Sequence, residues 1–378
     1  MASPISAPVG EYNASRLEKN IFGPGKISAL GAELDRRGLK HALVVTGKTL
    51  GASELLRKVT GALGEKSVGV FSKAQQHVPK NLTQVLAGEI KSTKADCIVS
   101  FGGGSPIDTV KVAIHALLGE GIEPVHIAVP TTLSAGEYTH VAGVTDESTL
   151  VKHGVSDPRV FPRTVINDPA LTLATPPWLW AATGIRALDH AIESIYSVRH
   201  QPISDALAAK SITLLEAHLP ASLSGETSEQ IAHRGHCQMA AWFSIFGSMN
   251  TGLGLSHALG HEIGPRWGVP HGVTSCITLP HAMRFMAELA PQRFGPIAEG
   301  YGIAFDPSDP KTAALECADR TAEFIGRLDV PHRLRDAHVP KREVQEIADT
   351  VQSETARMNV VDRVVTREEI LSILDAAY

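Results

Sequence analysis

The sequence predicts an α/β domain followed by an all-helical one, and three observations lead there. Short β-branched runs alternate with amphipathic helical stretches through the first half. After Asp168 strand signals become rare, and long stretches rich in Ala, Leu, Glu and Arg take over. At 378 residues the chain is also too long for one compact core. The expected boundary therefore divides residues 1–168 from residues 169–378.

The expected strands are ALVVTG (Ala42 to Gly47), SVGVFS (Ser67 to Ser72), CIVSFGGG (Cys97 to Gly104), VHIAVPTT (Val125 to Thr132) and RTVINDP (Arg163 to Pro169). The stretches ISALGAELDRRG, SELLRKVTGALG, LTQVLAGEIKSTK and IDTVKVAIHALLG have helical periodicity. A βαβα succession of this kind calls for a parallel sheet with helices on both faces. The helical half opens at ATPPWLWA (Ala174 to Ala181), because Pro176 and Pro177 suit the start of a helix. ISDALAAKSITLLEAHL, EQIAHRGHCQMAAWFSIFGSM, AALECADRTAEFIGRL, KREVQEIADTVQSETARM and TREEILSILDAAY supply the helices that follow.

Composition excludes several functions. The formal net charge is -5 and no Lys/Arg run forms a phosphate-tracking patch, so nucleic acid is not an expected partner. No apolar run reaches the roughly 18 residues of a membrane span, and MASPISAPVG lacks the pattern of a secretory signal. A cytoplasmic protein with a small-molecule substrate is expected. Cys97, Cys237, Cys276 and Cys317 are scattered without a CxxC pair and read as small buried apolar residues.

The stretch SFGGGSPIDTVK (Ser100 to Lys111) puts Gly102, Gly103, Gly104 and Ser105 between a strand and a helix. Glycines let a backbone approach a pyrophosphate, and the free amides of a helix start would receive it. Pro106 fits the first helical turn, where its missing N–H costs nothing. A second polar loop, PTTLSAGEYT (Pro130 to Thr139), offers Thr131 and Thr132 to an adenine edge or a ribose. At the end of the first clear strand, TGK has Gly47 where many dinucleotide domains carry an acid for the ribose 2′-OH. Without that acid a 2′-phosphate is tolerated, with Lys48 as its partner, so the expected cofactor is NADP or NAD.

His190, His257 and His271 form an imidazole set of the kind that holds a divalent metal. Such a site also takes a carboxylate, yet Arg186 stands one helical turn before His190. A fixed positive charge there argues against a metal. Asp189 lies about 100° round the helix from His190 and is expected to face elsewhere. His233, His236, His281 and His332 read as surface or core residues.

FGPG (Phe22 to Gly25), GGGSPIDTVK, PTTLSAGEYT, GIRALDHAIES (Gly184 to Ser194) and HALGH…PHG together resemble the iron-containing alcohol dehydrogenase superfamily, whose fold is related to dehydroquinate synthase. DPRVFPRTVINDPALTL (Asp157 to Leu173) looks most like the maleylacetate reductases within it. The resemblance implies a dehydroquinate synthase-like fold: a dinucleotide-binding domain, a helical domain and an active site in the cleft between them. It also implies that the family's metal ligands fall on Arg186, His190, His257 and His271, so the first is lost. Maleylacetate reductases lack the same aspartate and work without the metal. By the same matching His261 falls on a non-ligand active-site histidine and Asp108 lies near the cofactor, and association into a homodimer is expected.

Hydride transfer to a carbonyl builds negative charge on oxygen, which Arg186 would stabilise in place of a metal, or Arg186 would clamp a substrate carboxylate. His190, His257, His261 and His271 are the candidates for proton donor. The expected activity is a metal-independent NAD(P)H-dependent reductase of a small carbonyl or conjugated keto compound. The alternatives are a metal-dependent alcohol dehydrogenase with a three-histidine site, or a lyase, isomerase or cyclase without net redox chemistry.

Overall fold

The structure, a computed structural model, describes residues 11–147, 151–358 and 361–378. Its first compact unit comprises Ser15–Gly184 and His218–Trp242. Six strands, β1 (Lys19–Phe22), β2 (Ala42–Gly47), β3 (Ser67–Ala74), β4 (Cys97–Gly102), β5 (Val125–Pro130) and a later one, Thr164–Asn167, make one parallel sheet. Between β5 and that last strand the chain forms an antiparallel pair, β6 (Val141–Asp146) and β7 (Val151–Ser156), which makes Thr164–Asn167 β8. The order across the sheet is β1-β8-β5-β4-β2-β3.

Alternate side chains explain why helices cover both faces. Val44 and Val99 point into one apolar layer, with Leu30, Leu34 and Val59 from α1 (Leu30–Arg37) and, beyond the short α2 (Lys48–Gly51), α3 (Glu54–Leu63). Leu43, Val45 and Ile98 point into the other, with Leu86 and Ile90 of α4 (Lys80–Thr93) and Val110 and Ile114 of α5 (Gly104–Leu118). Strands buried on both faces read as continuous apolar runs, which is why β2, β4 and β5 were legible in the sequence. The short edge strand β1 and the β6–β7 pair were not.

The chain moves from β2 to β3 on one side and then returns to place β4 on the other side of β2. That reversal is a topological switch point, and the carboxyl ends of β2 and β4 flank it. Gly47 and the glycine triplet stand at those two ends.

The second unit includes Ile185–Ala217 and Phe243–Tyr378 and is helical among its described residues. The compact units divide the chain differently from the boundary expected at Asp168 in two ways. The compact units part inside α6 (Pro177–Tyr196), between Gly184 and Ile185. After α7 (Pro202–His218), most of α8 (Thr227–Ile245) belongs with the sheet. The reason is packing: Gly184 has no room for a side chain beside Leu219, and the Arg234 guanidinium lies over Trp180, 4.4 Å from its ring centre. Apolar periodicity marks such helices but not the unit that they join. The helical unit continues through α9 (Ser248–Thr251), α10 (Leu255–Trp267), α11 (His271–Leu289), α12 (Gly295–Tyr301), α13 (Pro310–Gly326), α14 (Ala348–Met358) and α15 (Arg367–Ala376). There α11 packs against α10, α13 and α15. No helix among the described residues is long and apolar enough to cross a membrane.

Candidate active site

In the sheet unit, the turn after β4 is shaped by steric need. Gly102 has φ +143°, and a Cβ there would stand 2.8 Å from Pro106 Cγ and 3.5 Å from Leu50 of α2. A Cβ on Gly103 would meet Thr132 Cγ2 at 3.0 Å, and one on Gly104 would meet Ser134 Oγ at 3.3 Å. The TGKTL, GGGSP and PTTLS segments therefore converge at the switch point, and only glycine lets them approach so closely. Gly103 caps α5 in extended conformation without any side chain bonding to the helix start. Amides of that first turn are directed outward, the arrangement that receives a pyrophosphate.

Lys48 is exposed at the first position of α2, and Ser105 lies in the first turn of α5. Thr131 is used by the fold: its amide donates to Gly102 O at 2.9 Å and its carbonyl accepts from Thr175 at 2.7 Å. Thr132 Oγ1 reaches Ser134 Oγ at 3.3 Å. Asp108 lies 3.4 Å from Lys111 Nζ, and this lysine is fully buried. Lys111 also donates to Gly136 O at 2.5 Å, Thr139 Oγ1 at 3.0 Å and Val141 O at 2.9 Å, pinning the loop after β5 onto α5. Its structural task was missed in the sequence, where it closes the glycine motif without standing out.

The helical unit gathers all five predicted catalytic residues. Ring centres of His190 and His257 are 5.0 Å apart, those of His257 and His271 6.4 Å, and those of His257 and His261 6.4 Å. His261 and His271 stack at 5.5 Å with planes 7° apart. The buried Arg186 guanidinium hydrogen-bonds to His271 Nε2, and its Nη1 donates to Ser275 Oγ at 3.2 Å. A nitrogen that accepts from a guanidinium has no lone pair left for a cation. The family-matched ligand set thus lacks His271 Nε2 as well as a carboxylate at position 186.

Asp189 does not face elsewhere, contrary to expectation. Its Oδ2 accepts from Ser275 Oγ at 2.6 Å and Ser256 Oγ at 2.9 Å, and it lies 3.5 Å from His257 Nδ1 and 3.9 Å from Arg186 Nη1. An angular offset of about 100° keeps Asp189 within the broad inward stripe of a buried helix. Arg186, Asp189, His190 and Glu193 are spaced i, i+3, i+4 and i+7, the pattern of one helix face. That spacing was the available signal for Glu193, which sequence reasoning missed.

Glu193 is fully buried. It accepts from the amides of Gly254 at 2.6 Å and Ser256 at 2.7 Å, and from His257 Nδ1 at 2.5 Å. It thereby caps α10, where the helix dipole favours negative charge, and fixes the His257 ring. A Cβ on Gly254 would lie only 2.6 Å from Glu193 Oε1, which explains the glycine before α10.

The electrostatics follow from burial and charge. Burial lowers the Arg186 guanidinium to about 10, against the opposing pull of Asp189 and Glu193, and leaves it cationic at neutral pH. Burial, reinforced by Arg186 and His257, holds His190 well below the ordinary imidazole range. For His257, burial and Arg186 push downward, but Asp189 and Glu193 overcome both and raise it. The Asp189 carboxyl, which burial alone would push up, is held low by His257, Arg186 and Ser275. His261 is lowered by burial although its Nδ1 bonds to Glu354 Oε1 at 2.7 Å. Asp189, Glu193 and His257 present three donor atoms within 4.8 Å of one another. Their hydrogen bonds already close this group, with the Arg186 guanidinium and the His257 ring set among the Asp189 and Glu193 carboxyl groups. Three buried atoms of this cluster nevertheless have no partner among the described residues: His190 Nδ1, His257 Nε2 and Asp189 Oδ1. Unpaired buried polar atoms are costly, and at such a cluster they mark where a guest bonds.

A glycine turn at a switch point and a buried set of acids, bases and a fixed cation are the equipment of an oxidoreductase. Residues 18–169 match the family model described as iron-containing alcohol dehydrogenase, and residues 180–378 match that of the Fe-containing alcohol dehydrogenase family, C-terminal. The chain belongs to the iron-containing alcohol dehydrogenase family. It is 34% identical over 295 residues to a maleylacetate reductase of Burkholderia cepacia, covering 78% of this chain and 80% of that one. It is 31% identical over 354 residues to the lactaldehyde reductase of Escherichia coli K12, covering 86% and 89%. The crystal structure of maleylacetate reductase from Agrobacterium tumefaciens superposes with a TM-score of 0.84 at 26% identity, covering 99% of each chain.

Proposed function

We propose that the protein is a metal-independent, NAD(P)H-dependent reductase of a small, carboxylated carbonyl or conjugated keto compound, with a maleylacetate reductase-like activity. The observation that carries this reading is the Arg186–His271 hydrogen bond, which puts a permanent cation on the imidazole nitrogen that a metal would need. The resemblance to maleylacetate reductases supports the substrate class.

Gly102, Gly103, Gly104 and Thr132 would hold the dinucleotide, whose reduced nicotinamide would supply a hydride. The remaining work falls to the chain. Arg186 neutralises charge, either on the oxygen that takes up the carbonyl π electrons as the new C–H bond forms or on a substrate carboxylate. His257, raised by two carboxylates and with Nε2 unpartnered among the described residues, is the group best suited to give a proton to the new alkoxide. Glu193 keeps that proton donor oriented and favours its protonated form. His190, held neutral, offers an unpartnered Nδ1 to a substrate hydroxyl or water.

The test is NADPH oxidation with maleylacetate and related keto acids, on protein treated with a strong chelator and then assayed for bound metals. Full activity in metal-free protein is expected. Activity that disappears with the metal and returns with added zinc or iron would overturn the reading. Product formation without nicotinamide oxidation would instead establish a non-redox reaction.

A further inference from the structure

We infer that the helical unit carries a second ligand site, a cationic cavity beside α11 that takes a small organic anion, a carboxylate or phosphate on an apolar body. The cavity measures about 300 Å³, at the lower end of the range in which small molecules bind. Its walls all belong to the Phe243–Tyr378 part of the unit, contributed by α11, α13, the segment that follows α13 and the end of α15. Neither Arg186, Asp189, Glu193 nor any histidine of the active-site cluster lines it.

Charge and shape define the guest. Arg284, Arg333, Arg335, His281 and His332 converge on the cavity, and no acidic side chain lines it. Arg284 is paired with Asp319, whereas among the described residues Arg333 and Arg335 have no carboxylate partner. A cleft lined by one sign of charge concentrates counter-ions, and guanidinium forks match the oxygens of a carboxylate or phosphate. The two imidazoles add hydrogen bonds. His332 Nδ1 donates to Val330 O at 3.2 Å, which leaves its other nitrogen for a guest. His281 is half-buried, and burial together with Arg284 holds it down to about 4, so at neutral pH it contributes an N–H without another positive charge. The remaining wall is apolar: Cys276, Pro280 and Ile325 are buried, and the Tyr378 ring lies beside them. A bare inorganic ion would leave that wall wet, so the guest carries an apolar or aromatic body.

Calorimetric titration of the full chain with benzoate and with phenyl phosphate tests the proposal, and the tighter of the two names the head group. Wild type is expected to take up one equivalent that the double variant Arg333→Gln/Arg335→Gln binds at least about tenfold more weakly, with its unfolding midpoint unchanged because both side chains are exposed. Ala322→Phe, which fills the cavity without touching its charge, should abolish the same equivalent. Inorganic phosphate should bind more weakly than phenyl phosphate, and benzyl alcohol should not compete. Absence of saturable binding would overturn the proposal, as would affinities that are the same in wild type and both variants. Inorganic phosphate binding as tightly as phenyl phosphate, or benzyl alcohol displacing either anion, would equally overturn it.

Discussion

Glu193 and His257 are joined by a 2.5 Å hydrogen bond inside a wholly buried site, and the same carboxylate caps the helix that carries His257. One residue therefore fixes both the ring's position and its charge. Glu193→Gln removes the charge and keeps only one acceptor oxygen, so either the Gly254 or the Ser256 amide loses its partner. The His257 pKa should then fall, so the alkaline limb of the kcat/KM profile moves to lower pH. Activity at pH 7 should drop about 10–100-fold, and the unfolding midpoint should fall because one buried amide is left unsatisfied. An unshifted limb would separate Glu193 from proton transfer.

Arg186→Lys keeps a cation but loses the planar fork and its simultaneous bonds to His271 and Ser275. The expected cost in kcat/KM is about 10²–10³-fold, or about 2.7–4 kcal/mol. Loss confined to kcat identifies an oxyanion contact, whereas loss confined to KM identifies a substrate carboxylate. A variant with wild-type constants would remove Arg186 from the mechanism.

Gly47 has room for a larger residue: its φ is -84° and a Cβ would meet only Ala74 O, at 3.4 Å. Gly47→Asp places a carboxylate at the end of β2, where it would bond a ribose 2′-OH and repel a 2′-phosphate. The ratio of kcat/KM for NADPH to that for NADH should fall at least about tenfold, equivalent to ~1.4 kcal/mol. An unchanged ratio would detach this position from coenzyme choice.

These residues were unequally legible in the sequence. Central strands such as Cys97–Gly102 are buried on both faces and announce themselves as apolar runs, and glycines 102 to 104 mark a turn before any contact is known. Arg186 stood out because it interrupts a ligand pattern. Glu193 and Asp189 did not, because a carboxylate among helical residues reads as surface until its partners on other helices are known. Those partners, Ser256, Ser275 and the amides at the start of α10, lie 61–86 residues away along the chain. The compact unit that α8 joins was illegible for a related reason: α8 is periodic like its neighbours, and only long-range packing assigns most of it to the sheet unit.

Asp189 provides the last prediction, because it is a fully buried carboxyl that faces both the Arg186 guanidinium and the His257 ring. Asp189→Asn keeps the shape but leaves Arg186 and His257 facing Glu193 alone, so His257 should shed its proton at lower pH than in wild type. The folded-state pKa of Asp189 is depressed, so its stabilisation is present above the unfolded value of about 3.9 and is lost as pH falls through the folded one. Breaking a buried charge network from one side typically costs about 3–5 kcal/mol, and proton release from His257 should relieve part of that. Asp189→Asn should therefore destabilise the protein at neutral pH, and the gap from wild type should narrow on acidification below about pH 4. Chemical denaturation across that range measures it. A gap that stays constant with pH would mean that Asp189 contributes by hydrogen bonding to Ser256 and Ser275 and not by charge.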